Sequence, residues 1–201
     1  MMKRRAVIFL VSAPSGAGKT TLCQRLLREM PDLEYSVSST TRPPREGEVD
    51  GEDYDFMPRE EFDTLVSENA FLEYAEVHGN GYGTRRDRIF SRIKSGISVL
   101  LDVDVQGAKQ IRSALKAGGE EWQEHYVDVF IEPPSLTSLR ERLEGRGKDD
   151  ADVIERRLRN AEREMKDAGL YQHRLVNDDL EAAYQKLRSI FVEAVTDSFT
   201  A

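Results

Sequence analysis

The segment Ser12-Ala13-Pro14-Ser15-Gly16-Ala17-Gly18-Lys19-Thr20-Thr21 follows directly on the apolar run Ala6-Val7-Ile8-Phe9-Leu10-Val11. It precedes a stretch carrying apolar Leu22, Leu26, Leu27 and Met30. Six consecutive apolar residues leave no polar face, so they describe a strand buried on both sides. The later apolar residues recur at helical spacing. Buried strand, glycine-rich turn and helix, in that order, are the setting of a phosphate-binding P-loop. Gly16 and Gly18 let backbone N–H groups turn inward around phosphate oxygens, where a Cβ would crowd them. The helix N-terminus adds partial positive charge at the same place. Lys19 reaches toward the outer phosphates, and the Thr20 hydroxyl offers an oxygen to a Mg²⁺ ion. The strict pattern has glycine at position 13, where this chain has Ala13. Alanine is the smallest substitute, and the turn is expected to survive it; an ordinary Gly-rich turn is the alternative.

A chain of 201 residues suits one domain with insertions and can bury a sizeable core. With 29 Lys plus Arg against 37 Asp plus Glu, the net charge is −8, which argues against a nucleic-acid polymer or an anionic membrane as partner. Any phosphate must be held by local cationic clusters. No apolar stretch approaches membrane-spanning length, and the run after Met1-Met2-Lys3-Arg4-Arg5 is too short for a signal peptide. The single Cys23 forms no internal disulfide, which fits a reducing cytoplasm, and its position on the helix after the loop reads as a small buried residue. His78, His125 and His173 share no ligand-type spacing and receive no chemistry.

Ala6 to Val11, Ile97 to Val103 and Tyr126 to Ile131 read as buried strands, separated by helical patterns that include Ser135 to Leu143, Ala151 to Met165 and Leu180 to Val195. This alternation predicts an α/β fold with a parallel, doubly wound sheet, whose ligands lie at the carboxyl ends of the strands. Residues 38–87 break the rhythm, being rich in Pro, Gly, Asp, Glu and Tyr with strand-like pieces such as Phe71 to Ala75, and are expected to be an insertion at the mouth of the sheet. The polar stretch Glu144 to Asp150, with two glycines, is expected to be a mobile lid.

In Ser38-Ser39-Thr40-Thr41-Arg42-Pro43-Pro44-Arg45 two prolines stiffen the backbone that presents two guanidiniums, whose forks match phosphate oxygens. Taken alone, a charged Pro-rich surface turn is the stronger explanation of them. Tyr54 and Tyr82, each near glycines, and Glu73 read singly as packing or solvated residues.

Jointly the motifs resemble the guanylate kinase family. The resemblance rests on Ala13 to Thr20, Ser36 to Arg45, Gly47 to Tyr54, Asp102-Val103-Asp104-Val105-Gln106-Gly107, Arg142 to Gly147 and Val176 to Asp179, in the family's order, and covers about residues 6–187. It implies the P-loop NTPase-type fold in a single domain spanning 1–201, with residues 1–37, 88–131 and 166–201 as core, 38–87 as a small α+β GMP-binding insertion and 132–165 as the lid region. It implies the reaction ATP + GMP ⇌ ADP + GDP with Mg²⁺ as cofactor. It places the GMP phosphate on Arg42, Arg45, Tyr54 and Tyr82, and the guanine edge against Ser38, Glu73 and Thr84, where serine is commoner in the family than Thr84. Asp102 resembles a carboxylate that orients metal-bound water or the active-site arginines. Asp104 resembles one that contacts guanine, with capping of the following helix as its alternative. Arg142, Arg146 and Arg157 resemble the arginines that close over the transferred phosphoryl group, a solvated helix face being the alternative for Arg157. ATP falls to Ser12 through Thr21, with Asn177 near the adenine.

The division of labour is chemically sound. Guanine offers N1–H and an amino group that one carboxylate accepts together, whereas adenine would leave the carboxylate unpaired. A phosphate acceptor is already anionic, so direct in-line transfer needs no general base. A sugar-phosphate kinase on the same scaffold and a non-catalytic module are the rivals. The pairing of Glu73 with Tyr54 speaks against the first and intact Gly18-Lys19-Thr20 against the second. The partners expected are ATP and GMP, without nucleic acid or membrane; a homo-oligomer stays open.

Overall fold

The computed structural model describes residues 5–145 and 150–196. Strand β1 (Ile8–Ser12) lies at the centre of a five-stranded sheet, between β7 (Ser98–Asp102) and β8 (Tyr126–Glu132), with β2 (Leu33–Tyr35) and β9 (His173–Val176) at the edges. All four pairings are parallel. The continuous apolar run has the expected cause. Phe9 and Val11 face helices α1 (Lys19–Glu29) and α8 (Leu180–Thr196) in a core with Leu22, Leu26, Tyr184 and Phe191. Ile8 and Leu10 point the other way, into a core with Ile89 and Ile93 of α3 (Arg86–Lys94) and Ile111 and Leu115 of α4 (Val105–Ala117). Alternate residues of one strand therefore fill both layers, which makes the sheet doubly wound.

Two of the five strands escaped the sequence reading. β2 and β9 lie at the sheet edges and bury one residue apiece, Leu33 and Leu175, so neither shows an apolar run. Helix α5 (Glu120–Glu124) precedes β8.

Residues 38–87 fold as a second sheet, in the order β4 (Asp55–Phe56), β3 (Ser39–Thr40), β6 (Asn80–Arg85), β5 (Phe71–Val77). Helix α2 (Arg59–Ser67) seals it through a small cluster of Met57, Phe62 and Phe71. Helices α6 (Leu136–Glu144) and α7 (Ala151–Met165) pack through Leu139, Leu143, Ile154 and Leu158. Arg146 and most of the stretch predicted as a lid lie outside the described residues.

Positive φ falls on Gly16 and Gly18 and not on Ala13, so alanine at the first loop position meets no backbone penalty. Gly18 is the N-cap of α1, at φ 93° and ψ 13°. A Cβ on Gly18 would collide with the Asn177 Nδ2 atom. Gly18→Ala is therefore expected to cost about 1–3 kcal/mol in thermal unfolding and to weaken ATP binding in titration. Gly47→Ala, at φ +87° with nothing within 4 Å of the added carbon, reports the conformational part alone.

Candidate active site

The loop between β1 and α1 lines a cavity of about 430 Å³ together with Asp104 and Glu164. It lies at the carboxyl end of the sheet, where the first-turn N–H groups of α1 have no intrahelical partner and the helix dipole favours anions. Lys19 Nζ is ion-paired with Asp102, the last residue of β7, and donates to the Val103 carbonyl at 3.0 Å. The loop after one central strand is thus tied to the end of its neighbour. Thr20 and Thr21 line the same cavity; Ser12 is fully buried at the end of β1.

A second cavity of about 370 Å³ adjoins the first across Gly16 and Gly18 and is lined by Arg142, Asn177 and Asp178. Asn177 is buried, and its Nδ2 donates to the Ala17 carbonyl at 2.7 Å. Arg142 donates to the Asn177 carbonyl at 2.7 Å. Asn177 thus braces the loop from behind, a role the sequence did not suggest. Arg157 is half-buried on α7, two turns before Glu164 and on the same side of that helix.

Asp104 joins the cradle to the second sheet. Its carboxylate accepts from Gly107 N at 2.8 Å as the N-cap of α4, so the capping alternative holds. The same acidic group bears on Glu73. Glu73 and Thr84 stand opposite each other on β5 and β6, and the Thr84 hydroxyl donates to Glu73 Oε1 at 2.7 Å. A hydroxyl has one proton, so in this arrangement Thr84 holds the carboxylate and does not itself donate to a base. Burial raises the Glu73 carboxyl above its ordinary value of 4.5; the Thr84 hydrogen bond opposes the shift and Asp104 adds to it.

Farther along β6, Tyr82 lies two residues from Thr84 and so on the same face. Its ring is 6.0 Å from that of Tyr54, and the Arg42 guanidinium is 5.3 Å from the Tyr54 ring. Glu48, a residue given no role in the sequence reading, organises this turn. Oε1 accepts from Arg42 Nη2 at 2.8 Å and Oε2 from the Arg45 backbone N–H at 2.7 Å. Arg42 in turn holds the Glu48 carboxyl below its ordinary value. The Arg45 side chain is exposed, and Ser38 is half-buried just before β3. Glu48 was visible only as part of Gly47-Glu48; its partnership needs the fold of the turn.

Cys23 is buried, and burial chiefly pushes its thiol up to about 12, which makes it a packing residue. The Nδ1 atom of His125 lies 2.6 Å from the Ala6 carbonyl oxygen. No described helix is long and apolar enough to cross a membrane.

A phosphate cradle on a doubly wound sheet, facing a second sheet with a guanidinium at one end and a half-buried carboxylate in the middle, defines a P-loop phosphotransferase. The family model for guanylate kinase matches residues 3–194. The chain is 48% identical over 191 residues to a guanylate kinase of Nitratidesulfovibrio vulgaris, covering 95% of this chain and 88% of that one. The crystal structure of guanylate kinase from Anaplasma phagocytophilum superposes with a TM-score of 0.71 at 34% identity, covering 98% and 90% of the two chains. A gluconokinase from Sinorhizobium meliloti, 13% identical with a TM-score of 0.51 over 96% and 95%, shares the fold. The chain belongs to the guanylate kinase family.

The raised Glu73 carboxyl has a measurable consequence. A carboxylate that accepts two donors must be ionised. With Glu73 in the base-reading role that the resemblance implies, KM for GMP is therefore expected to rise on acidification, beginning above the pH at which an ordinary carboxyl titrates. Thr84→Val removes the bond that favours the ionised form and moves this limb to higher pH. Glu73→Gln abolishes it. Profiles of KM against pH for the three proteins check the order.

Proposed function

We propose that this chain transfers the γ-phosphoryl group of ATP directly to the phosphate oxygen of GMP by in-line displacement. The observation that carries the reading is the succession from Lys19, ion-paired with Asp102, through Asp104 at the head of α4, to Glu73, which feels the Asp104 charge and is held by Thr84. That succession joins a polyanion cradle to a carboxylate suited to a base with two adjacent donors.

In this reading the loop 12–21 and Lys19 hold the ATP phosphates, with Asn177 near the adenine. Residues 38–87 form the GMP-binding unit. Arg42, Arg45, Tyr54 and Tyr82 hold the GMP phosphate, and Ser38 and Glu73 meet the guanine with Thr84 fixing the carboxylate. Arg142, Arg146 and Arg157, in the lid region 132–165, cover the transferred group. The acceptor oxygen carries its own negative charge, so no side chain need remove a proton. What the protein supplies is position and cationic charge in a site that excludes water. AMP would offer the half-buried Glu73 no donor pair, which disfavours it strongly.

The residues fit a Mg²⁺ ion. Among the described residues there is no cluster of three metal-ligating side chains, and Mg²⁺ bound with a nucleotide needs none, because it keeps waters and phosphate oxygens as ligands. Thr20, in the first turn of α1 on the cavity wall, offers a protein oxygen, with Asp104 on the same wall and Asp102, paired with Lys19, to orient waters. When bound, the ion neutralises charge on the phosphate oxygens.

A coupled ADP-release assay with GMP, dGMP, AMP, CMP and UMP tests the specificity. GMP is expected to exceed AMP by a factor on the order of 10⁴ in kcat/KM, and comparable rates with the two would refute the assignment of Glu73. Lys19→Ala is expected to lower kcat by about 10²–10³-fold with an unchanged circular dichroism spectrum; near-normal turnover would remove Lys19 from the phosphate site.

A further inference from the structure

Strand β5 is an edge of the second sheet, and an edge presents unpaired N–H and C=O groups. At Tyr74 that edge is covered by a side chain. Gln110 of α4 accepts from Tyr74 N through Oε1 at 3.2 Å, and its Nε2 donates to Tyr74 O at 3.1 Å. A carboxamide has one acceptor group and one donor group side by side, so Gln110 exchanges with Tyr74 the two bonds a neighbouring strand residue would exchange. The second sheet is fastened here to a helix of the central layer.

The location gives the fastening its meaning. Tyr74 follows Glu73, and α4 is the helix capped by Asp104. Asp104, Gly107 and Gln110 are spaced by three along α4 and form one ridge. Gly107 leaves room for the carboxylate: a Cβ there would sit 3.4 Å from Glu73 Oε2 and 3.2 Å from Val103 Cβ. One ridge of α4 thus accommodates Glu73 and clamps the backbone beside it.

We propose that Gln110 is a positioning residue for acceptor recognition, setting through its two bonds to Tyr74 the distance between Glu73 and the phosphate cradle. The proposal rests on the reading of Glu73 as the group that meets guanine. Misplacement of a binding group by about 1 Å can cost on the order of 100-fold, and Gln110, beside the packing of Leu72 against α4, limits such movement of β5. Its own side chain touches neither nucleotide in this scheme.

Gln110→Met keeps the length of the side chain and removes both hydrogen bonds. It is expected to raise KM for GMP about five- to twentyfold, to leave KM for ATP within about twofold, and to narrow the preference for GMP over AMP. A merely structural role predicts a lower unfolding midpoint with both KM values moved alike, and that result overturns the proposal. Unchanged KM for GMP in Gln110→Met, alongside a raised value in Glu73→Gln, also overturns it while leaving the Glu73 reading intact. Unchanged KM for GMP in Glu73→Gln removes the foundation of both. Hydrogen exchange in the unaltered protein supplies a check independent of the variant. The Tyr74 amide is expected to exchange slowly, and exchange at the rate of an open strand edge contradicts the clamp.

Discussion

The ammonium group of Lys19, held between the Asp102 carboxylate and the Val103 carbonyl, is the contact on which the geometry of the site depends. It joins the start of α1 to the end of β7, and so fixes the glycine-rich loop against the strand whose continuation, through Asp104, becomes α4. Helix α4 then carries the second sheet, because Gly107 and Gln110 receive β5. The phosphate cradle and the Glu73 carboxylate are therefore joined through the end of β7 and helix α4, not by a flexible tether. The parallel sheet beneath supplies rigidity: β1, buried on both faces, sends alternate side chains into two separate cores.

This chain of net charge −8 pairs the cations of its candidate site with its own carboxylates. Lys19 is paired with Asp102 and Arg42 with Glu48. Partly exposed pairs of this kind contribute little to stability, so their value lies in orientation. Each carboxylate holds a long, flexible cation in place, which lowers the entropy lost when an anion arrives. Asn177 and Arg142 act in the same way on the loop itself, bracing it through a side-chain amide and a backbone carbonyl.

The central sheet and the loop were legible because their signals are local. A double-faced strand shows itself as an apolar run, and a phosphate loop as glycines ahead of lysine and a hydroxyl. The edge strands β2 and β9 were not, since one buried residue each makes no pattern. Among the site residues, Glu48, Gln110 and Glu164 escaped because nothing in their neighbours along the chain distinguishes them from solvated polar residues. Each acquires a role only when the fold sets it against a residue distant in sequence or a cavity. Thr84 was singled out for its hydroxyl, and the fold adds what the sequence did not show, that this hydroxyl donates to Glu73. Asp104 takes the capping role weighed for it, and its charge also bears on Glu73.

Direct transfer between two nucleotides fixed end to end has a stereochemical signature. ATP made chiral at the γ-phosphorus with oxygen isotopes and sulfur should yield GDP whose β-phosphorus has inverted configuration, because a single in-line displacement inverts once. Retention would mean an even number of displacements through a phosphorylated side chain, and would contradict the account.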